Sequence, residues 1–358
     1  MIFLDNIIYT IQRSGGISVY WTEIVSRIIQ DKELYSTFIE FNNRQINNHF
    51  RNNLQIPKER IKRVSTFLFR IRRYINPNIS YPHKFIFHSS YYRTCFNKNA
   101  INICTVHDFT YEYYSSKLKR IVHSWQKYNA INNADYIICI SHNTKEDLIK
   151  FLPNVDKTKI KVIYNGVSND YFNISESFIN KIIPYEKYSY VLFVGARDNY
   201  KNFKIAVESV SKTKFKLVIV GNKLTKKENE LLHINFKQNN YFLLHNISNI
   251  SLNILYNDAY CLLYPSSYEG FGIPVIEAQK AGCPVIAYNS SSIPEITENS
   301  AVLFDTLTSD EILSKLYMLE NSTKRNYYIQ KGLDNSKRFS WDNTYKQLRE
   351  LYKEALNI

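Results

Sequence analysis

The run YPSSYEGFGIPVIEAQKAG, residues 264–282, sets two carboxylates, Glu269 and Glu277, around a short turn that contains Gly270 and Gly272. Pro274 suits the first turn of a helix, where its missing N–H costs nothing. Gly282 suits the position that closes one. Glu269 then lies in the loop before a helix and Glu277 about one turn inside it. The pair brackets a helix N-terminus and does not share a helical face. Backbone N–H groups at such a place attract an anion, while the carboxylates accept hydrogen bonds from hydroxyls. Phosphate plus hydroxyls describes a sugar nucleotide. The plainer reading, two acids favoured by the positive end of a helix, covers Glu277 better than Glu269.

Three other loops carry groups of the same kind. GARDNYKNF holds Arg197 and Lys201 beside Gly195, ahead of a helix. Two cations there suit a diphosphate, or are simply solvated. VHDF puts His107 and Asp108 just past a strand. An imidazole in that position hydrogen-bonds a sugar hydroxyl, shuttles a proton, or serves the structure alone. QRSGGI holds Gly15 and Gly16 at the start of a helix, where glycine lets the backbone approach a ligand or merely makes a turn.

The elements that must position these loops alternate. IFLDNIIYT reads as a strand, and ISVYWTEIVSRIIQ as a helix with Ile17, Tyr20, Trp21, Ile24, Val25 and Ile28 on one face. STFIEF, KFIFHSS, INICTVH, DYIICIS and KIKVIYN read as further strands. SHNTKEDLIKFL reads as a helix capped by Asn143 with Glu146. After about residue 175 the alternation restarts, through YSYVLFVGA, FKLVIVG, YFLLHN, YCLLYP and PVIAYN. Strand–helix alternation means parallel sheets with right-handed crossovers. Two series in tandem mean two doubly wound α/β domains, joined near residues 165–177. In such sheets ligands sit off the carboxyl ends of the strands, where all four loops fall.

Composition bounds the rest. With 358 residues and 44% hydrophobic content, two domains are a better expectation than one core. No apolar run reaches the roughly 20 residues of a bilayer span. MIFLDNIIYTIQ lacks the basic start of a signal peptide. The five cysteines are scattered and form no CxxC pair, which predicts buried free thiols in a reducing compartment. The net charge of +14 suggests acidic partners. It is densest at residues 57–77, where Lys58, Arg60, Lys62, Arg63, Arg70, Arg72 and Arg73 alternate with Ile61, Val64, Phe67, Leu68 and Ile71 at helical spacing. That predicts a basic amphipathic helix over about 58–73, either packed on its domain or lying on an anionic membrane.

The segment from Glu269 to Glu277 resembles the E-x7-E motif of the retaining glycosyltransferases of family four, which have the GT-B architecture of two facing Rossmann-like domains. QRSGGISVYWTEI, HSSYY, VHDFTYE, ISHNTKEDL, VIYNGV, VGARDNYKN, the block from Tyr264 to Ile296 and FSWDNTYKQL resemble that family in order, over nearly the whole chain. The opening pieces are most similar to bacterial mannosyltransferases of surface polysaccharide synthesis. The resemblance implies an acceptor-binding domain over 1–170, a nucleotide-sugar domain over 171–340, and a C-terminal helix, about 341–358, that crosses back to the first. It implies that Arg197 and Lys201 hold the donor diphosphate. Glu269 would take the donor sugar hydroxyls, with Gly270, Phe271, Gly272 and Ile273 beside it, and Glu277 the ribose. Gly15 and Gly16 would close on the phosphate side. His107 would sit near the reacting carbon, and Asp108 nearer the acceptor. His107, Glu269, Arg197 and Lys201 are then the catalytic candidates.

The implied reaction moves a hexose, mannose favoured, from a nucleotide diphosphate sugar such as GDP-mannose or a UDP-sugar to a glycan or lipid-linked acceptor. The anomeric configuration is retained. No Asp-X-Asp pair occupies a suitable loop, so neither metal nor cofactor is expected. The implied location is the cytoplasm or the inner face of its membrane. A sugar-nucleotide epimerase or phosphorylase also uses facing Rossmann-like domains. A nucleic-acid-binding protein is suggested by charge alone, without a supporting motif.

Overall fold

β8 (Tyr190–Val194, YVLFV) buries every residue, and β6 (Tyr136–Cys139, YIIC) all but its first. Strands apolar on both faces belong inside parallel sheets covered by helices on each side. The computed structural model describes residues 1–42, 48–65, 71, 73–174, 182–237 and 240–357. Among these residues two sheets form. The first runs β3 (Ile61–Ser65), β2 (Ser36–Asn42), β1 (Ile2–Asp5), β4 (Phe85–Ser89), β5 (Ala100–Val106), β6 and β7 (Ile160–Val162). The second runs β10 (Tyr241–Leu244), β9 (Lys216–Val220), β8, β11 (Cys261–Tyr264), β12 (Val285–Tyr288) and β13 (Val302–Phe304). The ladders are parallel; Leu192 of β8, for example, stands opposite Val218 on one side and Leu262 on the other. The strand order reverses between β1 and β4 and again between β8 and β11. At such a reversal the flanking crossovers leave to opposite faces and open a crevice at the carboxyl ends of the strands.

The chain divides into two compact units, Met1–Asn165 with Trp341–Ile358, and Gly166–Ser340. In the first, helix Gly16–Gln30 buries Tyr20, Trp21, Ile24, Val25 and Ile28 against Leu4, Ile86 and Ile103 of the sheet. Helix Trp341–Leu356 adds Trp341, Leu348, Leu351 and Tyr352 to the same core. Each such side chain contributes about 2 kcal/mol on burial, so this helix is a structural member of the first unit. Polar groups fix its seat. The Tyr352 hydroxyl lies 2.6 Å from His88 Nδ1, whose Nε2 lies 2.9 Å from the Thr105 hydroxyl. Asp31 accepts from Tyr345 at 2.9 Å and from Arg349 at 2.7 Å. Beneath the first crevice Asp5, at the end of β1, is fully buried. It takes Arg93 Nε at 2.8 Å, Arg93 Nη2 at 2.5 Å and the Ser89 hydroxyl at 2.8 Å. In the second unit, helix Phe203–Val210 packs Phe203, Ala206, Val207 and Val210 on Val191, Leu217 and Ile286. All five cysteines are buried and free.

Three sequence expectations are corrected. The first strand stops at Asp5, and Ile8–Ile11 form a helical turn. Asn6 breaks the strand: its amide donates to Glu40 at 2.8 Å and accepts from Trp21 Nε1 at 2.7 Å, while the Ser90 hydroxyl accepts the Ile8 N–H. Helix His142–Phe151 is capped by Ser141, whose hydroxyl accepts Thr144 N–H at 3.0 Å; Asn143 reaches Asp147 instead. The basic stretch is not a helix over Lys58–Ser65. Lys58–Arg60 is one 3₁₀ turn, and Ile61–Ser65 is β3, paired along β2 from Phe38↔Ile61 to Asn42↔Ser65. The free edge of β2 needs backbone partners, and this demand outweighs the helical spacing of Ile61 and Val64. Arg60 is turned inward, donating to Ser36 O at 2.8 Å and Ile29 O at 3.0 Å. Residues 66–70 and 72, with Arg70 and Arg72, lie outside the described residues.

Candidate active site

Two loops leave the strands that flank the reversal in the second sheet, one after β8 and one after β11. They are laced together. Asn202, in the left-handed region at φ +53°, donates to Pro265 O at 2.8 Å and to the Ser267 hydroxyl at 2.7 Å. Ser267 N–H donates to Tyr200 O at 2.7 Å. A third loop, after β12, clamps the second with three successive serines. The Ser290 hydroxyl donates to Ser267 O, the Ser291 hydroxyl accepts the Glu269 N–H, and the Ser292 hydroxyl donates to Phe271 O and Glu269 O. The loop opens into helix Ile273–Lys280 through Gly272, at φ +101°. A Cβ there would stand 2.8 Å from Ile293 Cδ1 and 3.1 Å from Ile296 Cδ1. The helix closes on Gly282 at φ +76°, with Cys283 N–H on Ala278 O and Gly282 N–H on Gln279 O. That double bond pattern satisfies two orphan carbonyls.

These ties bring Lys201 and Glu269 into direct contact: the ammonium is bonded to carboxylate Oε1, and both side chains are 12% exposed. The Tyr264 hydroxyl, at the end of β11, lies 3.4 Å from the same ammonium. Burial first, then the Glu269 carboxylate bonded to it, with Glu277 contributing further, raises this phenol well above its ordinary value. Glu277 sits one turn into its helix, as the spacing predicts. It accepts from the Tyr256 hydroxyl at 3.1 Å, and Tyr171 is a second hydroxyl partner. Burial outweighs both bonds and pushes the Glu277 carboxyl up to about 7. An acid so poised takes a hydroxyl hydrogen bond readily and resists bare ionisation.

Arg197 is committed elsewhere. Its Nε donates to Glu228 at 2.8 Å and its Nη2 to the carbonyls of Asn222 and Lys223 at 2.8 and 2.9 Å. Nη1 is buried without a hydrogen-bond partner. Glu228 also completes a capping box with Thr225. The Lys201–Glu269 contact, not a pair of free cations, is thus what the loop after β8 presents.

In the first unit His107 and Asp108 follow β5 directly. His107 is buried and meets Tyr20 edge to face at 5.0 Å. Burial, helped by the Lys127 charge and opposed by Asp108, pushes its imidazole down to about 4. It is neutral at pH 7 and can donate or accept one hydrogen bond. His88 behaves alike, pushed down to about 3 by burial and by His107. Asp108 uses one oxygen on the Thr110 N–H at 3.0 Å. Below it the ammonium of Lys127, fully buried, donates to Asp108 O and to Glu112 at 2.8 Å each, and lies 4.3 Å from the Phe109 ring. Gly15 starts helix Gly16–Gln30; a Cβ on Gly16 would meet open space, whereas one on Gly15 would strike Gln12.

Sequence reasoning missed Tyr264, Tyr256, Tyr171, the serine clamp and Lys127. Lys127 had a signal: it precedes the buried Ala130 and Ile131 by three and four residues, so it shares their face. Ser290–Ser292, three hydroxyls directly beyond a strand, was another.

Comparison with known proteins agrees with this architecture. Residues 15–171 match the model of Glycosyltransferase Family 4, and residues 175–334 that of Glycosyl transferases group 1. The O-antigen chain mannosyltransferase RfbU of Salmonella typhimurium is 33% identical over 180 residues, 49% of this chain and 48% of that protein. The O-antigen chain mannosyltransferase B of Escherichia coli is 24% identical over 268 residues, 70% of each. The alignment thus spans about half of the Salmonella protein. Among solved structures, Anabaena Alr3699/HepE in complex with UDP and glucose superposes with a TM-score of 0.72 at 15% identity over 98% of both chains. Sucrose-phosphate synthase from Thermosynechococcus elongatus does so at 0.76 and 15% over 99% of both. Two family matches end to end, on a pair of parallel-sheet Rossmann-like units, identify the chain as a member of the family 4 glycosyltransferases of GT-B architecture.

Proposed function

We propose that the chain transfers a hexose, mannose first among candidates, from a nucleotide diphosphate sugar to a hydroxyl of a glycan or lipid-linked acceptor in surface polysaccharide synthesis. The O-antigen mannosyltransferases among its relatives support the sugar and the pathway class. The observation that carries the chemistry is the Lys201–Glu269 contact at the reversal of the second sheet.

As the sugar–phosphate bond breaks, negative charge grows on the leaving diphosphate. Only interactions that strengthen with that charge speed the step. Lys201 supplies a fixed positive group, held in place before the donor arrives. When phosphate takes the ammonium, Glu269 is released to accept the sugar hydroxyls. The backbone of Gly270, Phe271, Gly272 and Ile273 lines the same turn, and Glu277 accepts the ribose hydroxyls. Arg197 contributes through its unpartnered Nη1. Gly15 and Gly16 are assigned to the phosphate side, neutral His107 to a sugar hydroxyl and Asp108 to the acceptor. With the cation built into the protein, the reaction proceeds without a divalent metal or cofactor. The anomeric configuration is retained, and the acceptor proton leaves to the donor phosphate. The buried free thiols suit a reducing, cytoplasmic setting.

The test is a thermal-shift panel of GDP-mannose, UDP-glucose, UDP-galactose and UDP-N-acetylglucosamine, since a ligand bound only by the native state raises its melting point. The donor that shifts it is then used, radiolabelled, in a transfer assay with EDTA present, and the product linkage is read by NMR. Transfer in EDTA to an α-linked product supports the proposal. Hydrolysis or epimerisation without acceptor, or a strict need for metal, overturns it.

A further inference from the structure

Helix Lys117–Asn132 shows solvent an apolar stripe. Leu118, Ile121, Val122 and Trp125 recur at the three- and four-residue spacing of one helical face, yet they are 75%, 55%, 41% and 59% exposed. The helix packs on its unit through a different face, with Ser124, Lys127, Ala130 and Ile131 buried. A contiguous exposed stripe of this kind marks a surface that something covers.

Charge says what. Lys117, Lys119 and Arg120 lie exposed among the apolar residues. The only acid between Thr110 and Asn132 is Glu112, buried against Lys127. Tyr113 and Tyr114, just before the helix, are exposed as well. Leu118, Val122 and Lys119 also edge a hollow of about 340 Å³ that contains Arg73, whose Nε is buried without a hydrogen-bond partner. A second copy of the chain would bring three cations against three. A protein interface depletes charge from its centre, whereas here bases and apolar groups alternate. Trp, Leu and Ile interleaved with Lys and Arg is the composition of a helix that lies in a lipid headgroup layer.

We propose that this face docks on an anionic bilayer, with Leu118, Ile121, Val122 and Trp125 among the upper acyl chains and Lys117, Lys119 and Arg120 on the lipid phosphates. The docking surface proposed is helix Lys117–Asn132. It does not depend on which sugar is transferred.

Trp125 reports on it directly, because Trp21 and Trp341, the other two tryptophans, are 1% and 3% exposed. Vesicles of phosphatidylcholine with phosphatidylglycerol shift Trp125 emission to the blue, and brominated acyl chains quench it. Phosphatidylcholine alone, or glycerol phosphate free in solution, does neither. Lys117→Glu with Lys119→Glu and Arg120→Glu weakens partitioning on the order of a hundredfold, about fivefold for each cation lost, and added salt weakens it too. Leu118→Ser with Ile121→Ser abolishes the shift. These side chains are exposed, so both variants keep the wild-type melting point. Unshifted emission in the wild type, or equal sedimentation of the Leu118→Ser/Ile121→Ser variant with anionic vesicles, overturns the proposal. So does a concentration-dependent dimer that the same variant abolishes while vesicles bind neither protein.

Discussion

Lys201→Ala tests the catalytic reading most directly. Two routes give its magnitude. At an effective dielectric of about 20, unit charges about 4 Å apart interact by about 4 kcal/mol, an upper bound on what the ammonium adds as one charge develops on the leaving diphosphate. Removing one preorganised donor from an oxyanion site costs about 3–4 kcal/mol. Lys201 and Glu269 are 12% exposed, so water screens part of this, and about 3 kcal/mol remains. kcat/KM then falls roughly 150-fold, mostly in kcat. Stability falls too, because Glu269 is left beside Tyr264 without its cation. A loss of about 2 kcal/mol for one partner of a mostly buried pair lowers the melting point of a unit this size by about 4–8 °C. The assay is initial-rate transfer of radiolabelled donor, alongside thermal melts, for Lys201→Ala, Glu269→Gln and the double variant. If Lys201 merely held Glu269 in place, the double variant would be no slower than Glu269→Gln alone. That result, or a folded Lys201→Ala within threefold of wild-type kcat/KM, refutes the reasoning.

Gly272→Ala forces a Cβ to 2.8 Å from Ile293 Cδ1 at φ +101° and costs about 2–4 kcal/mol, read as a lower urea midpoint at unchanged m. Glu277→Gln alters the pH profile of stability. The carboxyl is raised from 4.5 to about 7 in the folded chain, so the folded state binds more protons than the unfolded one between those values. Wild-type stability therefore falls as pH rises through that window, by about 2–3 kcal/mol. The Gln variant lacks this slope, and parallel denaturation midpoints at about pH 5 and pH 8 for the two proteins contradict it. Arg93→Met strands the fully buried Asp5 carboxylate with only Ser89 and costs about 3–5 kcal/mol in chemical denaturation; a loss under 1 kcal/mol is incompatible with the pair described.

Most of the fold was legible because strands such as β6, β8 and β11 are apolar at every position, which marks a parallel sheet regardless of partners. The bends were less so. Asn6 ends β1 through contacts with Glu40 and Trp21, residues 34 and 15 positions away, and no local pattern reports such a demand. The basic stretch misled for a related reason: Ile61 and Val64 fit a helical period, but an unpaired edge of β2 decides their conformation. Lys201 and Glu269 could be singled out from their loops, yet not their bond to each other, which depends on the order of β8 and β11 in the sheet. Arg197 carried the same local signal as Lys201, yet its Nε is bonded to Glu228, a residue 31 positions on. The buried Lys127 hid because a lysine between polar neighbours reads as a surface residue.

The helix Trp341–Leu356 has a consequence for how the chain is made. The first unit leaves the ribosome with part of its core unfilled: Tyr20 lacks the Trp341 ring that meets it edge to face, and His88 waits for a hydroxyl 264 residues downstream. Some 175 residues, from 166 to 340, must be translated before that hydroxyl exists. At about 5–20 residues per second this delay is roughly 10–35 s. During it the nascent protein carries an open greasy seam, a natural landing place for a chaperone.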